Sequence, residues 1–239
     1  MQLHWQELHN NNTSGTSNSS KIITRFPPEP NGFLHLGHAK AMHLNFMFAA
    51  TANKSGETIL RFDDTNPEVE DMDYANSIKE MCDWMGYKYS KITFTSQYFE
   101  QVYEKAKILI ASNRAYVDFD DRQVIKNLRA RGEPSAYREK FTASENLHLF
   151  EQMKHGKFEE GAAVLRLKID YKHCNLNMRD PIAYRIKYVP HFKQGEKWCI
   201  YPTYDFSHCI VDSLEHVTHS LCTMEFEVRR DLYYWILTA

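Results

Sequence analysis

No apolar stretch in this 239-residue chain reaches the roughly 18 residues that a membrane-crossing helix needs, so no membrane-spanning segment is expected. The opening residues, MQLHWQELHNNNTSGTSNSS, lack a basic segment followed by an apolar core, which argues against secretion. Cysteine is sparse. Cys82, Cys174, Cys199, Cys209 and Cys222 form no Cys-x-x-Cys pair and no His-Glu-x-x-His occurs, so no metal site is expected. Five cysteines, an odd number in a long chain, fit reduced thiols and a cytoplasmic location better than a disulfide framework. Excess charge is also missing: a net charge of −2 gives no overall attraction to nucleic acid.

What is present is enough to build a core, with 43% hydrophobic and 25% charged residues, in one large or two small domains. Residues 10–20 are nearly all Asn, Ser, Thr and Gly, and residues 1–20 are expected to form a flexible polar tail. Lys21 to Phe26 reads as a strand. A Pro-rich turn follows, and Leu36, Ala39, Met42, Phe46 and Ala49 then recur at spacings of three and four, which predicts a helix. Backbone N–H groups at such a helix start attract phosphate, and Gly37 would let it approach closely. His35 and His38, three apart, would share a face and donate to phosphoryl oxygens. On spacing alone they could equally be capping or surface histidines, or half of a metal site.

The run Thr58 to Phe62 reads as a second strand, buried on both faces, and Asp63 and Asp64 follow its carboxyl end, where open α/β sheets bind ligands. A helix over Met72 to Met85 completes the expected first half of a nucleotide-binding domain, residues 21–97. From 98 to 197 the pattern changes to a helix (Phe99 to Ser112), a basic helical stretch and two alternating strands, Val164 to Ile169 and Ile182 to Tyr188. Clean alternation predicts strands exposed on one side, hence an α+β insertion. The chain is then expected to return to the first domain over 198–239, through Trp198 to Tyr201 and a helix from Phe226 to Leu237. Between Asp121 and Lys140, Arg122, Lys126, Arg129, Arg131, Arg138 and Lys140 face three acids. Such a stretch is either a phosphate-neutralising surface or an ordinary solvated helix face.

The run Arg25-Phe26-Pro27-Pro28-Glu29-Pro30-Asn31-Gly32 through His38 resembles the HIGH signature of class I aminoacyl-tRNA synthetases in its glutaminyl/glutamyl form. Leu60-Arg61-Phe62-Asp63-Asp64-Thr65-Asn66-Pro67, Met178-Arg179-Asp180-Pro181 with Tyr184-Arg185-Ile186-Lys187, and Trp198 to Phe226 extend the resemblance over nearly all of residues 21–239. It implies a Rossmann-like α/β domain with a parallel sheet, interrupted by an insertion that binds the tRNA acceptor stem. It further implies ATP, with magnesium, across Glu29, Pro30, Asn31, His35, Leu36, Gly37, His38, Ala39, Lys40, Ala41 and Thr223, His35 and His38 being the catalytic pair. The amino acid would meet Asp63 through its ammonium and Tyr204 through its side chain, with His208 and Cys222 completing that pocket.

Without the resemblance, Asp63 could simply cap a turn and Tyr204 could be a core aromatic. At Cys222, glutamate-specific members of the family usually carry an arginine; its absence here implies L-glutamine and its tRNA as substrates, for a monomeric glutamine-tRNA ligase. The alternatives are a glutamate-transferring relative and a non-catalytic binder of the acceptor stem. The family's Lys-Met-Ser-Lys-Ser-like loop does not occur before Ala239, so a C-terminally truncated enzyme of weak or no activity is expected. Val228-Arg229 is a second departure, because some relatives place an acid there near the acceptor stem.

Overall fold

The fold, taken from a computed structural model, is described for residues 21–52 and 56–239. The tail expected over 1–20 lies outside the described residues. Strands β1 (Ile23–Phe26), β2 (Glu57–Phe62) and β3 (Ile92–Phe94) form a parallel sheet in the order β1-β2-β3. Helices α1 (Leu36–Ala52) and α2 (Met72–Trp84) make the crossovers between them. The β2 residues Thr58 to Phe62 are all buried, as a parallel strand covered by helices requires. Met42, Phe46 and Ala49 of α1 are buried as their spacing predicts, and Met42 and Phe46 pack with Phe26, Leu60 and Phe62. Leu36, which the same spacing includes, is 85% exposed, so the apolar stripe begins one turn into the helix. Polar contacts fix the layers too: the Thr24 and Thr58 hydroxyls donate to the Asn45 carbonyl at 3.0 and 3.4 Å.

A 3₁₀ turn (Thr95–Tyr98) leads into α3 (Phe99–Ala111), then β4 (Ala115–Asp118), α4 (Arg122–Arg131) and α5 (Ala143–Lys154). The α5 helix starts on a reciprocal Thr142/Glu145 capping box. Strands β5 (Val164–Leu167), β6 (Ile182–Ile186) and β7 (Ile200–Pro202) join β4 in an antiparallel sheet ordered β4-β5-β6-β7. Leu165, Leu167, Tyr184, Ile186 and Ile200 share one core with Phe99, Val102 and Phe150. The alternation in β5 predicts a solvated second face. Instead Arg166 is buried there, ion-paired to Asp118 at 2.5 Å, and its guanidinium also donates to the Asp180 carbonyl. Alternation distinguishes apolar from polar positions but cannot show that polar ones are paired and covered.

Two further expectations change. The run Trp198 to Tyr201 does not return to the first sheet: Tyr201 and Ile200 pair with Arg185 and Ile186 of β6. A short apolar run specifies burial, not a partner. The chain comes back instead at Thr218–Leu221, where the Thr218 and His219 amides donate to the Ile23 carbonyl at 2.9 and 3.1 Å along the edge of β1. Before that return lies α6 (Tyr204–Leu214); after it come a 3₁₀ turn (Met224–Arg229) and α7 (Arg230–Thr238). The last helix therefore starts four residues later than expected, and Phe226 lies in the turn. Phe206, Ile210, Leu232 and Ile236 of α6 and α7 belong to the core of the second sheet.

Gly56, just before β2, shows how closely the first layers approach. A Cβ there would lie 1.9 Å from the Ala49 carbonyl oxygen, a main-chain atom that cannot move aside. Gly56→Ala is expected to destabilise the fold by about 3 kcal/mol in urea unfolding, whereas a loss below about 0.5 kcal/mol would show that α1 and β2 are not held in this contact.

Candidate functional site

The first element of the site is the start of α1. His35 precedes the helix and His38 lies in its first turn, their ring centroids 4.0 Å apart. The Gly37 amide donates to His35 Nδ1 at 3.1 Å, and the His35 amide donates to His38 Nδ1 at 3.3 Å. Each Nδ1 is thus an acceptor, so each neutral ring carries its proton on Nε2. Two N–H donors of known tautomer therefore stand at a helix N-terminus. Burial and the neighbouring His35 lower the His38 pKa, which favours this neutral form. A Cβ on Gly37 would come within 2.8 Å of the His35 ring, so glycine is what allows that ring to fold back on the helix start.

The loop before α1 carries the next contributors. The Asp63 amide donates to the Pro28 carbonyl at 2.9 Å and the Asp71 amide to that of Pro30 at 3.0 Å. These bonds bring Glu29 beside the end of β2, with Asn31 Nδ2 donating to Glu29 Oε2 at 2.7 Å. Lys40 is exposed one turn into α1, whereas Ala39 and Ala41 are partly covered. Thr223 lies away from this loop in sequence, as the N-cap of the turn Met224–Arg229.

At the end of β2 the structure brings Asp63, Tyr204 and His208 together. Asp63 is fully buried; Thr95 Oγ1 donates to its Oδ1 at 2.7 Å and His208 Nδ1 lies 3.4 Å from its Oδ2. Asp63 thus does anchor a turn, as the residue alone allowed, while one oxygen keeps only a long contact. The Tyr204 ring stacks on His208 at 4.8 Å. Arg25 Nη2 lies 2.5 Å from His208 Nε2. Arg61 Nη2 lies 3.2 Å from Nδ1, so each ring nitrogen of His208 faces a guanidinium, and Nδ1 faces the Asp63 carboxylate as well. Burial lowers the His208 pKa against the pull of Asp212. Cys222 is exposed at the end of the segment that runs beside β1.

Residues not singled out from the sequence hold this arrangement. Arg25 donates to Asp212 Oδ1 at 3.0 Å, the Leu221 carbonyl at 2.8 Å and Ser220 Oγ at 2.7 Å. Arg61 meets the same Asp212 oxygen at 2.7 Å and Glu215 at 3.2 Å. Tyr233 donates to Asp212 Oδ2 and Tyr98 to Glu215 Oε1. Although burial opposes it, Arg25 and Arg61 hold the Asp212 carboxyl far below the usual carboxylate range. Two signals pointed here: an arginine within each apolar strand run, and the four-residue spacing of His208 and Asp212 on one helical face.

A second acid group lies alongside. Asp64 accepts from the Ser96 amide and hydroxyl at 2.8 and 2.7 Å and faces His191 at 3.5 Å; burial pushes it up to about 7. Glu70 is buried, with Oε2 accepting from the Asn66 amide and Oε1 without a partner among the described residues. Burial pushes Glu70 up to about 9, and the nearby Asp64, Asp63 and Glu29 add to the shift. Among the described residues no three His, Cys, Asp or Glu side chains converge to hold a metal.

Of the six basic residues between 121 and 140, Arg129 donates to the Arg179 and Leu176 carbonyls and Arg138 pairs with Asp180 at 2.6 Å. Arg131 pairs with Glu133, and Lys140 stands over the Tyr137 ring at 4.5 Å. Arg122 and Lys126 are exposed on α4.

Residues 21–239 match the family model described as tRNA synthetases class I (E and Q), catalytic domain. The chain is 55% identical to a glutamine–tRNA ligase of Lupinus luteus over 92% of its own length and 27% of the relative's. It is 51% identical to one of Polynucleobacter asymbioticus over 91% and 38%. It therefore spans between about a quarter and two fifths of the curated relatives it matches. A cytoplasmic glutamine–tRNA ligase of Arabidopsis thaliana is 53% identical. Among solved structures, a glutamate tRNA ligase from Elizabethkingia meningosepticum superposes with a TM-score of 0.65 at 20% identity, covering 92% of this chain and 47% of that one. That likeness concerns the fold: α/β with a parallel sheet.

The raised pKa of Glu70 has a stability consequence. Its folded-state pKa is raised above the unfolded value, so burying it is uncostly below pH 4.5 and stability is lost as pH rises from there toward 9. Glu70→Gln removes that proton linkage. Thermal unfolding should show the variant and wild type nearly equal at pH 4.5, with the variant gaining on the order of 2 kcal/mol by pH 8. Parallel pH profiles would contradict a protonated Glu70.

Proposed function

We propose, for a chain that belongs to the class I (E and Q) tRNA synthetase catalytic-domain family, that its site activates L-glutamine with ATP and transfers it to the acceptor end of its tRNA, in the cytoplasm and as a monomer. ATP is placed along Glu29 to Asn31 and the start of α1, with its α-phosphate against the Nε2–H groups of His35 and His38. As the glutamine carboxylate attacks that phosphorus in line, the bond to the pyrophosphate leaving group breaks. Negative charge then builds on oxygens that these donors and the helix start stabilise. Magnesium enters on the phosphates of the nucleotide. The terminal ribose hydroxyl of the tRNA then attacks the adenylate carbonyl and AMP leaves. Positioning and charge stabilisation carry both steps, so no nucleophilic side chain is needed.

The substrate ammonium goes to Asp63, where it displaces the long His208 contact. Arg25, Arg61 and, at 3.9 Å, Lys91 pair with the buried carboxylates Asp212 and Glu215, and none of these ion pairs involves the buried Asp63. A buried carboxylate outside those pairs suits an ammonium.

The observation that carries the choice of glutamine is the state of Arg25, the buried cation whose charge acts on Cys222. Four of its five N–H groups are committed, to Asp212, the Leu221 carbonyl, His208 and Ser220. Arg25 therefore has little left to offer a γ-carboxylate, whereas an amide can use Tyr204 as a neutral partner. A site built around one polar group rejects the other by roughly 10⁴ or more.

Charging of tRNA with labelled glutamine and, separately, glutamate tests this, using a form extended to the length of its relatives. Glutamine alone should be charged; comparable glutamate charging sinks the amide reading, and charging of neither sinks the family activity for this chain. Gly37→Ala probes the nucleotide half. The added methyl meets only a flexible ring, so the thermal midpoint should stay within a few degrees, while displacement of His35 lowers ATP–pyrophosphate exchange by roughly 10². Unchanged exchange would remove the folded-back His35 from the mechanism.

A further inference from the structure

The turn Met224–Arg229 lies between Thr223 and the last helix and has no buried residue. Met224 is 82% exposed and Val228 is 56% exposed, so apolar packing does not fix the turn. Polar contacts do. Asn175 Nδ2 donates to the Val228 carbonyl at 2.6 Å, and Asn177 Nδ2 reaches the same oxygen at 3.3 Å. Both asparagines lie in a loop clamped to α4, where Arg179 donates to the His173 and Arg129 carbonyls and Arg129 donates to those of Leu176 and Arg179. At the next residue, Arg229 Nη1 pairs with Asp205 Oδ1 at 2.7 Å. Its guanidinium carbon lies 6.0 Å from the Tyr204 ring centroid and 5.5 Å from that of Phe226. Those two rings are 6.0 Å apart, and Tyr204 stacks on His208 from its other neighbour.

We propose that Arg229 is a positioning residue for the amino-acid pocket. Anchored on Asp205, it braces the Tyr204 and Phe226 rings so that the Tyr204 hydroxyl is held for the substrate amide, and the Asn175/Asn177 clamp sets where Arg229 sits. A planar cation suits this task because it can pair with a carboxylate at its edge while its face stays against aromatic rings. The contacts run without a gap from α4 through the 173–179 loop to Tyr204, so a displacement of the inserted unit reaches the pocket through the Val228 carbonyl.

The inference rests on the glutamine reading above, and calorimetry on the full chain separates the two. Two probes are titrated: a non-hydrolysable glutaminyl-adenylate analogue and ATP alone. Wild type binding neither probe overturns the glutamine reading and this inference with it. With wild type binding both, Arg229→Ala should weaken the analogue by roughly fivefold to twentyfold, the worth of a partly desolvated cation–π and ion-pair contact, and leave ATP within about twofold. Arg229→Lys, the second variant if alanine disturbs the turn, keeps the charge but not the planar face and should lose about half of that effect on a logarithmic scale. The swap of Asp205→Arg with Arg229→Asp should recover most of the analogue affinity. Asn175→Ala with Asn177→Ala should weaken the analogue on its own and add little once Arg229→Ala is present. Analogue affinity unchanged in Arg229→Ala, equal weakening of both probes, or full additivity with the asparagine pair would each overturn the assignment.

Discussion

Asp212 accepts from Arg25 and Arg61 through a single oxygen and from Tyr233 through the other, and all three charged groups are almost completely buried. The two arginines come from neighbouring parallel strands and the carboxylate from α6, which otherwise packs with the second sheet. This cluster is the joint between the two layers. A guanidinium on a buried strand would be prohibitively desolvated alone, so β1 and β2 can carry arginine only if α6 docks with its acid in register. Removing Asp212 would leave the buried Arg25 without a carboxylate partner and Arg61 with Glu215 alone, a loss of the 3–5 kcal/mol class. The joint also reaches the end of β2, because Arg25 and Arg61 each contact one ring nitrogen of His208, whose Nδ1 faces Asp63.

That dependence explains which parts of the molecule were legible in the sequence. The start of α1 was readable because a local run of residues determines it: a stiff turn, a glycine where a methyl would strike His35, and an apolar stripe at helical spacing. The pairing of Asp63 with Tyr204 and His208 came from resemblance, since nothing local ties residue 63 to residues 204 and 208. Arg25 and Arg61 stood inside the quoted motifs yet had no assigned role. Single arginines in apolar strand runs mark a buried partner, but the partner is some 150 to 190 residues away along the chain. The route back to the first sheet was misplaced for a related reason. Trp198 to Tyr201 is apolar enough to be a strand anywhere, whereas Thr218 to Leu221 is polar and earns its place through two amides on the Ile23 carbonyl.

The basic stretch between Asp121 and Lys140 narrows in the same way. Counted along the sequence it holds six cations; in the fold Arg129 and Arg138 are spent on the 173–180 loop, and Arg131 is paired with Glu133. Arg129 is half-buried and its charge is opposed by desolvation and by Arg166, which lowers its pKa. The solvated part of this surface is therefore smaller than its composition, and the arginines within it act as fasteners for the loop that reaches the Val228 carbonyl.

Charge also separates the halves of the site. Near His35 and His38 the groups on offer are N–H donors at a positive helix end, suited to phosphate. At the end of β2, Glu29, Asp63, Asp64 and Glu70 crowd together, and burial has raised Asp64 and Glu70 until Glu70 holds its proton at neutral pH. If all four were ionised the cleft would repel both ATP and an attacking carboxylate. Keeping Glu70 neutral through burial lowers that repulsion around Asp63, which Thr95 bonds and His208 faces. Burial of Glu70 thus reduces the crowding of negative charge at the end of β2.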